Sequence, residues 1–437
     1  MKVLVFGGGP TGLSISDKLL QLGYEVELHE KSDQLGGCWK VTWQGDYFSE
    51  HAPRVITTDY HNFYKLIDKY KLETSDVYGG VIYSKYYLGK FIYKNLSFTD
   101  LTKFFSYMYI YNNNNDNRTV EKWMKDVNIS KKGRNGITKL SLDVATHPKY
   151  LSFRVFMRSL KEGSTDLIKF VNLKSGDLWV HKYKKDLEKK GLKIFTNSKL
   201  KSLKIKENNI VSAVIENDKS FPNNNELKAD HFVLSMPLYA LRKVLKSSHS
   251  PKIKNNWMEW SKFEKYVKFS TYSGIGFVLH FKEEQQFPPD WCGTCMGDWS
   301  IIMIHTSKHL KKFSKDRKIK DVYSCVIVDT ETKSKIIKKS ADECETKDEI
   351  MTESLRQLSE LSGYTLEPDV ITFNKSLKRY KNHWYVSDTA FAITPKGTLK
   401  QKGKIDNLFS VGPHNLDKIA ILENAFISSN LLIEDHF

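Results

Sequence analysis

Residues 2–12 read KVLVFGGGPTG, an apolar, β-prone run that feeds straight into Gly7-x-Gly9-x-x-Gly12. No other stretch limits the fold as strongly. Each glycine answers a separate steric demand: Gly7 lets the strand turn sharply, Gly9 lets backbone approach a pyrophosphate, and Gly12 lets the next helix pack closely on the strand. Phosphates would then meet the N–H groups of a helix N-terminus, where the positive end of the macrodipole favours anions. Gly7, Gly9, Pro10, Thr11 and Gly12 are therefore candidate dinucleotide contacts. The flanks agree, because Leu13–Leu22 has the period of an amphipathic helix, Gly23 is a C-terminal stop, and Tyr24–His29 reads as a second strand ending at Glu30. An acid roughly 20 residues past the glycines, at the tip of that strand, is placed to accept hydrogen bonds from the adenosine ribose hydroxyls.

The residues after Glu30 select the cofactor. From Lys31 to Trp39 the chain reads KSDQLGGCW, bringing two adjacent glycines back past the pyrophosphate. On this doublet the chain resembles flavin enzymes of the amine oxidase, phytoene desaturase and protoporphyrinogen oxidase superfamily, and simple nicotinamide dehydrogenases lack it. The resemblance implies FAD rather than NAD, with Lys31, Gly36, Gly37, Cys38 and Trp39 beside it. It also implies an α/β fold: a Rossmann-like FAD-binding domain of the two-dinucleotide-binding-domain type, a substrate domain of β-sheet plus helix, and a helical insertion.

Two further blocks carry the same resemblance. Asn407–His414 (NLFSVGPH) is similar to the superfamily's last FAD-domain strand and its glycine, Gly412. Ile421–Ser429 (ILENAFISS) is similar to the closing helix, whose N-terminal amides meet the flavin pyrimidine, which makes Glu423, Asn424 and Ala425 candidates. Amides there stabilise negative charge that builds on reduction. Between them, the position of Leu200 implies a backbone contact to adenine, and Ala229–Pro237 implies a strand ending near the pyrophosphate at Met236. Among members, the chain is most similar to a group related to hydroxysqualene dehydroxylase, on Glu50–Val55 (EHAPRV), Thr119–Trp123 and Trp299–Met303.

One departure bears on chemistry. Aligned with the corresponding amine oxidase strand, Ser273–Lys282 puts Gly276 where those enzymes carry a lysine that holds a water near flavin N5. Pro413 also replaces the usual glutamate after the C-terminal glycine, and proline donates no backbone hydrogen bond. Carbon-centred oxidation or desaturation of an apolar substrate therefore ranks above amine oxidation, with the space at Gly276 expected to suit a bulkier substrate. His51, Trp384 and His414 are the catalytic candidates, the histidines as acid or base and the tryptophan as an aromatic wall. Arg54 is a candidate flavin or phosphate contact, since a guanidinium pairs bidentately with phosphate oxygens.

Composition fits this reading. The 437 residues suffice for two or three domains. The expected division is a first FAD block at 1–60, a mostly helical insertion at 61–165 with a polar loop at Asn112–Arg118, a second FAD block at 166–245, a substrate domain at 246–400 and a C-terminal FAD block at 401–437. The first strand begins at residue 2 with no secretory signal before it, and no apolar run of about 18 residues occurs. A soluble, intracellular, cytoplasmic protein is the expectation. The formal net charge of +17 comes from scattered lysine over polar, Asn-rich surface. No helix-turn-helix or RNA-binding signature accompanies it, so a nucleic-acid role stays secondary.

Five cysteines are too few for a disulfide scaffold. Cys292-Gly293-Thr294-Cys295 reads as a reduced loop pair; redox exchange or a metal role ranks below that, and no metal site is expected. No cysteine follows Cys344, so the C-terminal FAD segment offers no thiol for a covalent link, and FAD is expected to bind noncovalently. The expected activity is oxidation of a small molecule by hydride transfer to flavin N5, followed by reoxidation by an acceptor the sequence does not name, oxygen among the options. The residues leave open a flavin amine oxidase, a redox-neutral flavin enzyme such as a sugar-nucleotide mutase, and a basic non-catalytic binding protein that keeps the fold.

Overall fold

In the computed structural model, the residues described are 1–52, 54–57, 60–72, 78–83, 92–111, 116–144, 147–163, 168–171, 178–216, 225–272, 274–287, 296–308, 313–363, 365–386, 391–392, 398–419 and 421–437. The Cys292/Cys295 pair and Asn112–Asn115 lie outside them. Nine strands position the site: β1 (Lys2–Phe6), β2 (Glu25–His29), β3 (Lys193–Phe195), β4 (His231–Leu234), β5 (Ile275–Phe281), β6 (Ile301–His305), β7 (Asp321–Ile327), β8 (Val370–Phe373) and β9 (Leu408–Ser410). Three helices frame it: α1 (Pro10–Gln21), α2 (Leu238–Ser247) and α3 (Leu422–His436).

The first sheet is parallel, in the order β9-β4-β1-β2-β3. Its central strand shows why. Val3 and Val5 pack into the core beneath α1 and α3, while Leu4 and Phe6 pack into a second core with α2 on the other face. A continuous apolar run is what a strand covered on both faces requires. Helix α1 begins at Pro10, whose fixed φ suits the first helical position, and Gly9 is its N-cap. The amphipathic period from Leu13 thus understates the helix by three residues at its start, because glycine and proline there read as turn.

The second sheet is antiparallel, in the order β6-β7-β5-β8. Alternation along β5 splits its side chains. Ile275, Phe277, Leu279 and Phe281 enter a separate core with Trp299, Ile350 and Leu358, whereas Val278 faces back into the core of the first sheet. The two sheets therefore share a wall, and the hairpin formed by Thr42–Gln44 and Tyr47–Ser49 runs along it, with Phe48 in the shared core.

A helical layer adjoins both. Helices Phe98–Phe105, Val120–Asp126, Lys131–Val144 and Phe153–Gly163 surround Phe104, Trp123, Phe153 and Phe156. Within 61–165 there is also a strand, Tyr78–Tyr83, pairing with Ile168–Val171, which in turn pairs with Val55–Thr57. Among the described residues no helix is long and apolar enough to cross a membrane.

Candidate functional site

Two glycine loops meet back to back at the end of β1. Gly7 has φ +113°, and a Cβ there would lie 2.4 Å from the Ser235 carbonyl oxygen. A Cβ on Gly12 would lie 1.8 Å from the Gly7 carbonyl oxygen, so helix and strand approach as closely as glycine permits. Gly9 differs: its backbone is extended, and a Cβ would touch only the Gly37 Cα, at 3.8 Å. Gly37, at φ +56°, faces back toward Gly9, and the Gly36 amide donates to the Gly8 carbonyl at 2.8 Å. The first and second glycine motifs thus form a single cradle, with the uncapped N-terminus of α1 opening into it.

A cavity of about 650 Å³ extends from this cradle in two directions. On one side lie Glu30, Lys31, Leu200, Ser198 and Glu216. The Glu30 carboxylate is buried and accepts from the Gly8 amide at 2.6 Å and the Ser32 amide at 2.9 Å, one on each oxygen. It therefore anchors both loops, beyond the ribose role its position implies. Behind it the His29 ring stacks between Phe6 and Phe195, with centroids 5.4 Å and 4.9 Å away, and its Nδ1 is 2.8 Å from the Ser198 hydroxyl.

On the other side lie Met236, Gly412, Pro413, His414 and Ala425, with the N-terminus of α3 at Leu422. Burial pulls His414 down to about 4, so its ring is neutral near pH 7, with Nε2 2.8 Å from the Ser410 hydroxyl. Gly7, Gly9, Pro10, Thr11, Gly37, Cys38 and Trp39 complete the part of the wall that the sequence singles out. Burial pushes the Cys38 thiol up to about 11 against the opposing pull of Arg54, so it stays protonated.

Seven candidates are not among the described lining residues. Gly12 and Gly36 shape the loops from behind. Glu423 accepts from the Asn62 amide at 2.8 Å and the Phe63 amide at 3.2 Å, fixing the helix that starts at His61 to α3. The Asn424 side chain donates to the Ile419 carbonyl. Trp384 corrects the expectation of an aromatic wall: it packs in the core of the second sheet, its indole N–H donating to the Cys344 carbonyl at 2.9 Å. Its apolar bulk is used for packing there, away from the cavity.

His51 and Arg54 form a separate buried group beside the cavity. A Cβ on Gly276 would lie 2.0 Å from the His51 carbonyl oxygen, so the position that lacks the lysine is filled by backbone. The expectation of free space for a substrate at Gly276 is thereby corrected. Burial, reinforced by Arg54, pulls His51 down to about 3, which leaves it a poor proton acceptor. Arg54 donates from Nη2 to the Lys40 carbonyl at 2.7 Å and lies 5.9 Å from the Trp39 ring centroid. Its Nε and Nη1 are buried and make no hydrogen bond with any described residue.

Residues that sequence reasoning passed over include Lys40, Lys199, Lys201, Lys243 and Tyr239, which also line the cavity, and Glu50, which pairs with Arg54 at 3.7 Å. The lysines carried no signal among so many others. Glu50 did carry one: an acid closing an apolar strand, beside a histidine and four residues from an arginine. A glycine cradle at a helix N-terminus and a lysine-bearing wall together fit a large phosphate-bearing ligand. Among the described residues no group of three or more His, Cys, Asp or Glu could hold a metal ion.

Comparison with known proteins gives three findings. The family model described as flavin containing amine oxidoreductase matches residues 10–287, well over half of the chain. No curated protein matches. Among solved structures, an oxidoreductase from Methanosarcina mazei is similar at 13% identity and TM-score 0.66, covering 100% of both chains. A protein titled as a protoporphyrinogen oxidase from Exiguobacterium sp. 255-15 is similar at 12% identity and TM-score 0.62, covering 99% of this chain and 98% of that one. Putrescine oxidase, solved with putrescine bound, is similar at 11% identity and TM-score 0.61, covering 100% of this chain and 99% of that one. At these identities the structural likeness is one of fold.

Proposed function

Given that this chain belongs to the family of flavin-containing amine oxidoreductases, we propose that it holds FAD noncovalently along the cavity and oxidises an apolar, carbon-centred substrate by hydride transfer to the flavin. The observation that carries the FAD reading is the double glycine cradle, in which Gly9 and Gly37 face each other at the cavity with no side chain between them. The pyrophosphate would lie against Gly9, Pro10, Thr11 and Gly37, where amide N–H groups offset its charge. Adenosine would lie toward Glu30 and Leu200, and the ring system toward Met236, Gly412 and Ala425. The domain division at 1–60, 166–245 and 401–437 for FAD and 246–400 for substrate belongs to the same proposal.

When bound, the flavin supplies the two-electron chemistry; the chain supplies orientation, a dry environment and charge. Noncovalent attachment is supported by the chemistry of Cys38. It is the one described cysteine on the cavity wall, and its burial-raised thiol is no nucleophile near pH 7. Cys325 and Cys344 are in the core of the second sheet.

An apolar substrate is the reading that the missing lysine favours: Gly276 carries no side chain, and the His51 backbone stands where one would lie. Gly276 pairs with Val326, and Val326 clusters with Val328, Leu142, Ile302 and Ala52 between the second sheet and the helical layer. His414, on the cavity wall and held neutral by burial, would orient by shape and hydrogen bonding.

The test is anaerobic mixing of the purified holoprotein with substrate classes. Polyprenoid-like apolar compounds are expected to bleach the flavin, simple primary amines and polyamines are not, and reoxidation by oxygen should be slow beside an artificial acceptor. Rapid bleaching by a simple amine with fast peroxide release would replace this reading with amine oxidation. Flavin-free protein that shifts nucleic acid would replace it with the binding-protein alternative.

A further inference from the structure

We propose that Glu50 is a redox-linked proton acceptor, a carboxylate that becomes a carboxylic acid when the flavin beside Arg54 is reduced and returns its proton on reoxidation. The inference rests on the FAD reading above and concerns how charge is balanced in that site.

Glu50 closes the strand Tyr47–Ser49 and is buried where the hairpin meets the second sheet. The hydroxyl of Ser324, on β7, donates to its Oε1. Thr306, at the end of β6, lies 2.7 Å from the Ser324 hydroxyl and accepts from the Ser324 amide at 3.0 Å. Oε2 is 3.7 Å from Arg54 Nε, a charge contact outside hydrogen-bond range. Arg54 spends Nη2 on the Lys40 carbonyl and keeps Nε and Nη1 unfilled by described residues. A buried guanidinium with unfilled N–H groups is costly to leave so, and Cys38, Trp39 and Lys40 around it line the cavity.

The other groups facing Glu50 add no charge. His51, next in the chain, is held neutral, and the Cys38 thiol beside Arg54 is protonated. From β6 and β7 come the hydroxyls of Thr306 and Ser324, and from β5 come Gly276 and Val278, which do not titrate. Arg54 is therefore the cation that balances Glu50 among the described residues, and together they are neutral.

Arg54 lies behind Trp39 and Lys40 of the cavity wall, so negative charge added on reduction to a flavin held against that wall would fall on its cavity side. One guanidinium cannot neutralise two anions in a low-dielectric site, and a second negative charge disfavours the ionised carboxylate. Burial has already pushed Glu50 up to about 6, against the pull of Arg54 and Ser324, so a small further rise carries it past neutrality. The balance is two electrons and one proton to the flavin from the reductant and solvent, plus one solvent proton to Glu50. Reoxidation releases both protons.

The experiment is the midpoint potential of the bound flavin against pH, measured on wild-type holoprotein and on Glu50→Gln. A two-electron couple shifts by about 30 mV per pH unit for each proton taken up. Wild type should follow the two-proton line, about 59 mV per unit, just above the Glu50 titration, and Glu50→Gln the one-proton line over that same segment. Glu50→Asp should keep a steep segment, and Ser324→Ala should move it to higher pH, because the carboxylate loses a donor. A wild-type profile on the one-proton line across about pH 6 to 8 overturns the proposal, whether or not the variants fold. A wild-type protein that binds no flavin fails the FAD reading instead, so the two failures are distinguishable.

Discussion

The two halves of the site use different chemistry to hold their shape. At the glycine cradle the shape rests on backbone: Gly7, Gly9, Gly12 and Gly37 lie where chain segments approach closely. Beside it, around Glu50 and Arg54, the shape rests on side chains brought together across long sequence separations, as when Ser324 reaches Glu50 from 274 residues away. A steric requirement that only glycine meets is written locally in the sequence. A charge pair assembled by strand pairing is not.

The sharpest way to break this contrast is to put a side chain where the substrate half relies on a missing one. Gly276→Ala should be the most damaging substitution, because its Cβ would lie 2.0 Å from the His51 carbonyl oxygen, a backbone atom. We expect more than about 4 kcal/mol of destabilisation and poor recovery of folded protein. A soluble Gly276→Ala protein with a wild-type denaturation midpoint would show that the two halves are not in contact there.

Gly9→Val tests the nucleotide half with the opposite expectation. A Cβ there meets only ordinary contact at 3.8 Å in the free protein. Folding should survive, while FAD affinity falls by at least roughly 100-fold, about 2.7 kcal/mol, by exclusion of the pyrophosphate. Flavin titration and thermal melting on the same sample separate the two effects.

Glu30→Ala should weaken FAD binding by roughly 10-fold to 100-fold through loss of ribose acceptors. It should also lower stability, since the Gly8 and Ser32 amides lose their partner. Unchanged affinity with lowered stability would reduce Glu30 to a loop anchor.

The pH dependence of stability samples both halves at once. His51, His280 and His414 are pulled by burial to about 3, 4 and 4, from an ordinary 6.5. The unfolded chain binds these protons and the native protein does not, so stability is present above 6.5 and falls as pH drops toward 4. Each imidazole contributes on the order of 2 kcal/mol of loss between about pH 6.5 and 5. Glu50, raised to about 6, acts in the opposite sense, losing stability as pH rises through 6, but one carboxyl is outweighed by three imidazoles. Urea midpoints should therefore drop on acidification, and His414→Asn should shrink the drop.

The smallest effect is expected at Trp384. Trp384→Phe removes the indole donor to the Cys344 carbonyl, costing about 1 kcal/mol, with flavin content and flavin reduction unchanged. Loss of flavin reduction with intact stability would return Trp384 to the active site.

These particulars show what was legible. The strand, turn and helix at residues 2–21 and the doublet at Gly36-Gly37 were readable because φ and close approach restrict the residue type. The run at β5 was readable as a strand. What it faces was not readable, because alternation sends Phe277 to one core and Val278 to another only once the sheets are packed. Trp384 was misplaced for the same reason: a tryptophan in an apolar context is compatible with a site wall and with a core, and burial decides. Gly276 was singled out for its missing side chain, yet the space it was expected to leave is taken by the His51 backbone.

The central claim is that the two glycine loops form one FAD cradle, and the most direct test is the flavin content of purified protein. Wild-type protein, denatured to release its cofactor, should yield about one FAD per chain in the soluble fraction, as expected for a single pyrophosphate cradle, while equally folded Gly9→Val should yield almost none. Wild-type protein that is colourless and takes up no FAD on incubation, or a Gly9→Val protein with the full complement, would contradict the account.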